Sequence, residues 1–268
     1  MAADSPAAVL RSIKVSPRVT TFPTDRAAAR ALARRIVAAV TVNPWLVLGL
    51  PTGRTPVALY HELATLHAHG HADFSRVTTF NLDEFLGIPA SHPGSYRAFM
   101  ERHLFDHVNI RPERRHFLDG SAPDPDEECL RYERIIAAAG GIDLQMLGIG
   151  TNGHIGFNEP ARALDARTHR VALKPETRRS NASLFNGDAA AVPPEALSMG
   201  MATILKARRL VLIATGKSKA RCIEKVVSGP ITTKLPASFL QLHADVEILV
   251  DEHAAGGLEG TKTLRHEK

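Results

Sequence analysis

Short apolar runs alternate with stretches of helical periodicity along almost the whole chain, and this alternation limits the possible folds more than any other feature. The runs are apolar at consecutive positions, which is expected of strands that helices cover on both faces. Predicted strands lie at residues 45–50, 77–82, 142–150, 169–173, 209–215 and 246–251. Predicted helices lie at residues 25–40, 56–69, 94–107, 125–139, 195–205 and 217–228. The pattern predicts an α/β protein with a doubly wound, mostly parallel sheet and helices on both faces.

A single domain is expected, because no low-complexity linker and no internal repeat divides the 268 residues. The Pro- and Ala-rich stretch 185–196 is short and is interpreted as a loop. We predict an N-terminal extension over residues 1–18, one domain over 19–255 and a frayed C-terminal tail over 256–268.

The overall charge indicates the class of partner. The formal net charge is +5, but the arginines occur as scattered pairs and only 5% of residues are aromatic. These features argue against nucleic acid as a partner and favour a small anionic substrate. No run has the length of a signal peptide core or a membrane span, so a cytoplasmic protein without a membrane partner is expected. Cys129 and Cys222 lack metal-site spacing and are predicted to be reduced and buried.

The first predicted strand ends in a turn formed by Thr52, Gly53, Arg54 and Thr55. Gly53 permits a tight turn. The threonine hydroxyls, the guanidinium and the free N–H groups at the start of the next helix can together form an anion cradle. The spacing is not that of the P-loop. An ordinary capped helix start is the alternative interpretation.

Asp83 and Glu84 directly follow the predicted strand 77–82. Solvated carboxylates are common at such a position, so the pair alone carries little information. In open α/β sheets, however, ligands bind at the carboxyl ends of the strands. A carboxylate that faces a ligand there can act as a proton-transfer base.

A third polar loop, GTNGHIGFNEP, occupies residues 150–160 after another predicted strand. Its glycines, with Gly148 and Gly150 at the start, allow the backbone to approach a substrate closely. His154 titrates near neutrality, and Glu159 lies near enough for the loop to fold it against the imidazole. A lone histidine is more often structural, but together with two other polar strand ends it favours a functional site.

Lys217 and Lys219 follow a fourth strand, at the start of a predicted helix. Cations at a helix N-terminus oppose the helix dipole. An anion bound nearby would explain this small cost.

Six motifs, in order and spacing, resemble the glucosamine-6-phosphate deaminase/isomerase family over residues 20–255. They are LGLPTGRTP, TTFNLDEFLG, HPGSYRAFM, GIGTNGHIGFNEP, TGKSKA and LQLHADVEILVD. The resemblance implies a modified doubly wound α/β fold and no catalytic metal or organic cofactor. It also implies the conversion of glucosamine 6-phosphate and water to fructose 6-phosphate and ammonia.

The resemblance also implies roles for individual residues. Asp83 would move a proton between C2 and C1 of the opened sugar, and His154 would open the ring by proton exchange at O5. Glu159 would hold and polarise the histidine. The turn at 52–55 and Lys219 would bind the phosphate.

Two departures from the family pattern stand out. Asn152 occupies a position where many members have an aspartate; it can orient His154 by a hydrogen bond but cannot stabilise imidazolium by charge. Ser183 occupies the position of an arginine that grips the phosphate. Arg54 replaces a small residue in the phosphate turn, so we expect Arg54 to supply the missing charge, with Arg179 as the weaker candidate. The loss of a guanidinium at such a site costs roughly 1.5–3 kcal/mol.

Regulation is also expected to differ. Members that N-acetylglucosamine 6-phosphate activates have basic residues at the positions of His169 and Val171, so we predict no such activation. The oligomeric state, monomer or homo-oligomer, does not follow from the sequence.

Three other functions fit the pattern less well. Because Ser183 replaces the arginine, the substrate can be a different amino sugar, such as galactosamine 6-phosphate or a sugar with another charged group. A 6-phosphogluconolactonase is disfavoured by the glutamate in GHIGFNEP. An inactive sugar-phosphate sensor has no need of three catalytic residues together.

Overall fold

The computed structural model describes residues 17–258 and the strand Thr263–Arg265. The strands are β1 (Arg18–Phe22), β2 (Val47–Leu50), β3 (Thr78–Asn81), β4 (Asp83–Phe85), β5 (Arg115–His116), β6 (Leu144–Leu147), β7 (His169–Ala172), β8 (Glu195–Ser198), β9 (Arg209–Ala214), β10 (Val246–Asp251) and β11 (Thr263–Arg265). The α-helices are α1 (Asp25–Val42), α2 (Arg54–Ala68), α3 (Tyr96–His103), α4 (Pro125–Ala138), α5 (Pro175–Asn181), α6 (Met201–Leu205) and α7 (Ala220–Ser228).

The larger sheet has the strand order β11-β1-β10-β9-β6-β2-β3-β5, and every neighbouring pair is parallel. Parallel pairing follows from the helical crossovers between strands, since an antiparallel pair would need only a tight turn. The prediction of a doubly wound, mostly parallel α/β sheet is therefore confirmed. All carboxyl ends point to one edge, where the polar loops gather.

Each strand of this sheet is buried on both faces because successive side chains point to opposite helix layers. In β9, Leu210 and Leu212 pack with α4, α6 and α7, whereas Val211 and Ile213 pack with α1, α2 and α3. Two hydrophobic cores thus lie on opposite faces of one sheet, which accounts for the consecutive apolar residues in the sequence.

The sequence also determines where the long helices begin. Thr24 caps α1 by accepting a hydrogen bond from the Ala27 N–H, and Asp124 caps α4 in the same way. In α1, Leu32, Ile36 and Val40 repeat every four residues and are buried against the sheet. Polar caps and an apolar stripe at this period are sufficient to define a surface helix.

A second, three-stranded antiparallel sheet has the order β4-β8-β7 and lies outside the parallel sheet. Two predictions are corrected here. The strand predicted at 169–173 exists as β7 but does not join the parallel sheet. The helix predicted at 195–205 is wrong in its first half, because Glu195–Ser198 forms β8 and only Met201–Leu205 is helical. Pairing of β8 on both sides overrides its local helix propensity.

Part of the predicted frayed tail is also corrected. Within residues 256–268, Thr263–Arg265 forms β11, which pairs with Val19–Thr21 of β1. The predicted extension, residues 1–18, lies outside the described residues except at its end, where β1 begins. Cys129 and Cys222 are free and buried, as predicted. Among the residues described, no helix has the length and apolarity needed to cross a membrane.

Candidate functional site

A cleft of about 550 Å³ opens at the carboxyl edge of the parallel sheet. Loops after β2, β3, β6 and β9 line it, together with α3 and the segment after α5. Most residues predicted for the site line this cleft: Thr52, Gly53, Arg54, Thr55, Asp83, Gly148, Gly150, His154, Ser183 and Lys219. The structure therefore brings together residues that lie up to 167 positions apart in sequence, from Thr52 to Lys219.

One end of the cleft is formed by the turn before α2. Gly53 has a φ of 103°, a backbone conformation that favours glycine, and its position as N-cap provides no side-chain acceptor for the first N–H groups of the helix. These N–H groups and the helix dipole therefore remain available to an anion. Arg54 begins the helix and is exposed beside the cleft.

Lys219 also lines this cleft. It lies in the 3-10 turn Lys217–Lys219 after β9, and its Nζ donates a hydrogen bond to the Ile149 carbonyl at 2.7 Å. Burial lowers the pKa of Lys219, and the charge of Arg54 lowers it further. That repulsion means that the two cations are close enough to attract the same anion.

Ser183 and Arg179 lie in different places in the structure. Ser183 lies in the 3-10 turn Ala182–Phe185 and lines the cleft, but Arg179 does not. Arg179 is exposed on α5 and forms a 3.0 Å ion pair with Glu176. The expectation that Arg179 contacts the substrate is therefore not supported by its position, because the buried residue of α5 is Thr177 and a residue two positions later points to another side of the helix.

Asp83 and Glu84 are buried, so the alternative of an ordinary solvated pair does not hold. They lie in β4, and their exposed fractions are 5% and 2%. Oδ1 of Asp83 is buried without a hydrogen-bond partner among the described residues, while Oδ2 lies beside Gly156 in the histidine loop. Burial raises the pKa of Asp83 well above its usual range, and the charge of Glu84 raises it further. A carboxylate held this way is a strong base once it has lost its proton.

His154 lies across the backbone of its own loop. A side chain at Gly150 would collide with the imidazole, because an added Cβ would be 2.2 Å from Cε1. Burial lowers the pKa of His154 to about 4, although the charge of Glu159 acts in the opposite direction. The imidazole is thus neutral at physiological pH and can both accept and donate a proton. Its Nδ1 is buried and has no hydrogen-bond partner within the described chain.

Glu159 is buried behind the histidine. It accepts a hydrogen bond from the Thr177 hydroxyl of α5, and its Oε2 lies 3.3 Å from Nζ of Lys174. These contacts, made with a neighbouring segment, fix the carboxylate. Its charge raises the proton affinity of His154.

Asn152 acts on the loop rather than on the ring. Its Oδ1 accepts a 3.2 Å hydrogen bond from the backbone N–H of His154, and the residue is exposed. Asn152 therefore shapes the turn that carries the histidine, and it is not among the residues that line the cleft. The predicted hydrogen bond exists, but it reaches the backbone.

Sequence reasoning missed Tyr96, the first residue of α3. Its hydroxyl lies in the cleft and donates to Oδ1 of Asn181 at 3.1 Å, and it also hydrogen-bonds with Thr52. Its ring stacks on Phe157 of the histidine loop, with 5.8 Å between centroids and 8° between planes. The stretch HPGSY marks a helix start, but nothing in it indicates that the tyrosine points inward.

The arrangement suits proton transfer on a small anionic molecule. Two cations and free N–H groups, which attract anions, line the same cleft as a buried carboxylate and a neutral imidazole. Among the described residues, no group of three or more His, Cys, Asp or Glu side chains has the geometry of a metal site.

Comparison with known families gives a match over most of the chain. The model described as "Glucosamine-6-phosphate isomerases/6-phosphogluconolactonase" matches residues 23–249. The glucosamine-6-phosphate deaminase of Halothermothrix orenii is 51% identical over 220 residues, which cover 82% of this chain and 91% of that protein. Glucosamine-6-phosphate deaminase 2 of Bacillus subtilis is 49% identical over 214 residues, which cover 80% and 86%.

Solved structures agree with this match. A protein described as a monomeric glucosamine-6-phosphate deaminase is similar with a TM-score of 0.86 and 40% identity, over 90% of this chain and 99% of that chain. A 6-phosphogluconolactonase from Trypanosoma cruzi has a TM-score of 0.73 at 20% identity, over 92% and 99% of the two chains. The second likeness concerns the fold alone.

Proposed function

The chain belongs to the family of glucosamine-6-phosphate isomerases and 6-phosphogluconolactonases, and from this premise we propose that it is a glucosamine-6-phosphate deaminase. The enzyme converts glucosamine 6-phosphate and water to fructose 6-phosphate and ammonia, an aldose–ketose isomerisation coupled to deamination. The observation that carries this proposal is the single cleft lined by Asp83, His154 and Lys219.

The first step opens the pyranose ring. His154 is neutral at physiological pH because burial lowers its pKa to about 4. A neutral imidazole accepts the proton of the O1 hydroxyl and returns a proton to O5 as the C1–O5 bond breaks. Glu159 stabilises the transient imidazolium through its charge, and Thr177 holds that carboxylate in position.

The second step moves a proton from C2 to C1. Asp83 removes the C2 proton while the aldehyde oxygen O1 takes a proton from the ammonium group on C2, which gives an enolamine. Asp83 then delivers its proton to C1, which yields the protonated imine of fructose 6-phosphate. Water adds to C2 of the imine, and ammonia leaves. A C–H bond beside a carbonyl is weakly acidic, so the step requires a base of high proton affinity, and burial raises the pKa of Asp83 in the required direction.

The phosphate binds at the other end of the cleft. The uncapped start of α2 offers N–H groups, Lys219 offers an ammonium group, and Arg54 adds a guanidinium at the same end. We assign to Arg54 the charge that the position of Ser183 lacks. Binding at this end leaves C1 and C2 beside Asp83.

Ammonia release from three sugars tests the function. We expect activity on glucosamine 6-phosphate and none on unphosphorylated glucosamine. Galactosamine 6-phosphate, the C4 epimer, is the third substrate. Absence of ammonia release from all three sugars would refute deaminase activity.

A second amino-sugar substrate remains the alternative because of one observation: Ser183, exposed on the cleft wall, replaces the expected arginine. Higher kcat/KM for galactosamine 6-phosphate would select this alternative. Comparable turnover of unphosphorylated glucosamine would show that the two cations do not bind a phosphate that the reaction requires.

We further propose that the enzyme is cytoplasmic, where phosphorylated sugars are retained. The relative at 40% identity is described as monomeric, which favours a monomer over a homo-oligomer for this chain. Light scattering coupled to gel filtration distinguishes the two states.

A further inference from the structure

Glu84 follows the proposed base directly in β4, and its side chain is 2% exposed. Its carboxylate accepts three backbone hydrogen bonds. Oε1 accepts from the N–H groups of Phe85 at 2.9 Å and Tyr96 at 2.8 Å, and Oε2 accepts from the Arg97 N–H at 2.9 Å. Burial raises the pKa of Glu84 to about 7, and the three main-chain hydrogen bonds, with the charge of Arg97, offset only part of that increase.

Two of these bonds satisfy the first turn of α3. The N–H groups of Tyr96 and Arg97 have no partner within the helix, and Ser95 satisfies the next one by accepting from the Ala98 N–H at 3.0 Å. Helix starts are normally capped by a nearby residue in the sequence. Here an acid 12 residues upstream of Tyr96 performs most of the capping.

The consequence is a direct link between two walls of the cleft. Glu84 fixes Tyr96 at its backbone, and Tyr96 reaches the phosphate turn and α5 through its hydroxyl bonds to Thr52 and Asn181. Asp83, one residue before Glu84, is fixed in the same strand. The Glu84 carboxylate therefore contributes to the spacing between the base and α3, together with the contact between the Phe85 and Tyr96 rings.

The same carboxylate is a charge beside Asp83. The other titratable groups that interact with Asp83 are the hydroxyls of Tyr60 on α2, Tyr96 on α3 and Tyr132 on α4, which are uncharged at neutral pH. Arg97 acts on Glu84 from α3. Among the described residues, the ionised form of Glu84 is thus the charge that most raises the proton affinity of Asp83.

We propose that Glu84 is a positioning residue of the deaminase reaction: it locks the base-bearing strand to the first turn of α3 and sets the charge next to Asp83. This inference rests on the proposed function. It gives Glu84 no contact with the substrate, since the residue does not line the cleft.

The variant Glu84→Gln tests the proposal by steady-state kinetics over a range of pH. The amide retains one oxygen but presents an NH2 group to the Arg97 N–H, so we expect kcat to fall about tenfold to a hundredfold while KM changes less than about threefold. Removal of the anion lowers the pKa of Asp83. The acidic limb of the kcat/KM profile therefore moves to lower pH, which a purely structural role would not cause.

Two further variants separate the contributions. Ser95→Ala removes the other cap of α3 and is the matched control; we expect loss of thermal stability with kcat and the acidic limb unchanged. Glu84→Asp keeps the charge but shortens the side chain by one methylene group. We therefore expect kcat to fall while the acidic limb of the kcat/KM profile stays at the same pH. Glu84→Asp also keeps the test possible if Glu84→Gln fails to fold.

The outcomes that overturn the proposal are distinct from failure of the proposed function. Wild-type enzyme that releases no ammonia refutes the function, whatever the variants do. If the wild type is active, then a Glu84→Gln enzyme with unchanged kcat and limb refutes the positioning role. If Ser95→Ala loses as much kcat as Glu84→Gln, then Glu84 acts only as a helix cap and the positioning role is refuted.

Discussion

The two ends of the cleft differ in how deeply their charged groups are buried. The end that would perform the chemistry is buried: Asp83 and Glu159 are 5% and 7% exposed, and burial shifts the pKa of Asp83 and that of His154 away from their usual ranges. The end that would bind the anion is open, with Arg54 and Ser183 exposed at its rim. One cleft thus holds buried acid–base groups beside an exposed guanidinium, while Lys219 is partly buried.

This difference shows how one fold separates binding from catalysis. Burial changes proton affinity by removing water, which a catalytic acid or base requires and a permanent cation does not. Exposed cations keep their charge and attract an anionic substrate at long range. Changes at the buried end are therefore expected in kcat and in stability, and changes at the open end in KM.

At the buried end, the substitution with the largest expected effect on activity is Asp83→Asn. The amide cannot accept the C2 proton, so we expect kcat to fall by at least about a thousandfold. Because the pKa of the folded carboxyl is raised, the native state loses stability as pH rises above the carboxyl pKa of the unfolded chain. Asp83→Asn has no carboxyl to ionise at this position and does not lose this stability, so its Tm at neutral pH should exceed that of the wild type.

Thermal unfolding of both proteins at pH 7, with ammonia release assayed on the same samples, checks this prediction. Retained turnover in Asp83→Asn would remove the aspartate from the mechanism. A lower Tm would mean that its carboxylate is stabilised rather than strained by the site.

The same end predicts a loss of stability in acid. The pKa of His154 is about 4 in the folded chain against an ordinary value of 6.5, so the unfolded state takes up the proton first as pH falls. The free energy of unfolding should decline between pH 6.5 and 4, by up to about 3 kcal/mol from this residue. Urea titrations of wild type and His154→Gln at pH 7 and pH 4.5 isolate the contribution. If the free energy of unfolding changes equally with pH in the two proteins, the imidazole is not desolvated in the folded chain.

Arg54→Ala tests the phosphate contact at the open end of the cleft. Loss of a charged hydrogen bond to phosphate should raise KM for glucosamine 6-phosphate about tenfold, with kcat within about threefold. Arg179→Ala is the matched control, since that arginine lies on the surface and pairs with Glu176; we expect no kinetic change. An unchanged KM in Arg54→Ala would exclude the assigned phosphate contact.

The smallest expected effect concerns regulation. His169 and Val171 lie in β7 of the small sheet, which belongs to neither end of the cleft. We predict that N-acetylglucosamine 6-phosphate, added at subsaturating substrate, leaves the rate unchanged. Sigmoidal kinetics relieved by that compound would contradict the prediction.

The sequence identified the open end more completely than the buried one. Thr52, Gly53, Arg54 and Lys219 follow strands directly, and turn residues and cations at a strand end carry a local signal. The parallel sheet was also predictable, because its strands are apolar at consecutive positions.

Burial and long-range pairing were not predictable in this way. Asp83 and Glu84 resemble any solvated pair in the sequence. The pairing of β4 with β8 and the packing of α3 and the histidine loop remove them from water. Tyr96 acquires its role from Glu84, 12 residues away. The segment Glu195–Ser198 looks helical until both of its neighbours in the small sheet are known. Such features depend on tertiary contacts, which local patterns do not encode.

The strand β11 has a practical consequence for anyone who shortens this protein. Its pairing with Val19–Thr21 covers one side of β1 at the border of the parallel sheet. Trimming the gene to the segment matched by the family model, residues 23–249, would delete both of these strands and leave the main-chain groups of β10 open to other molecules. Expression of that fragment should give aggregates, whereas the 268-residue chain keeps β10 paired on both sides.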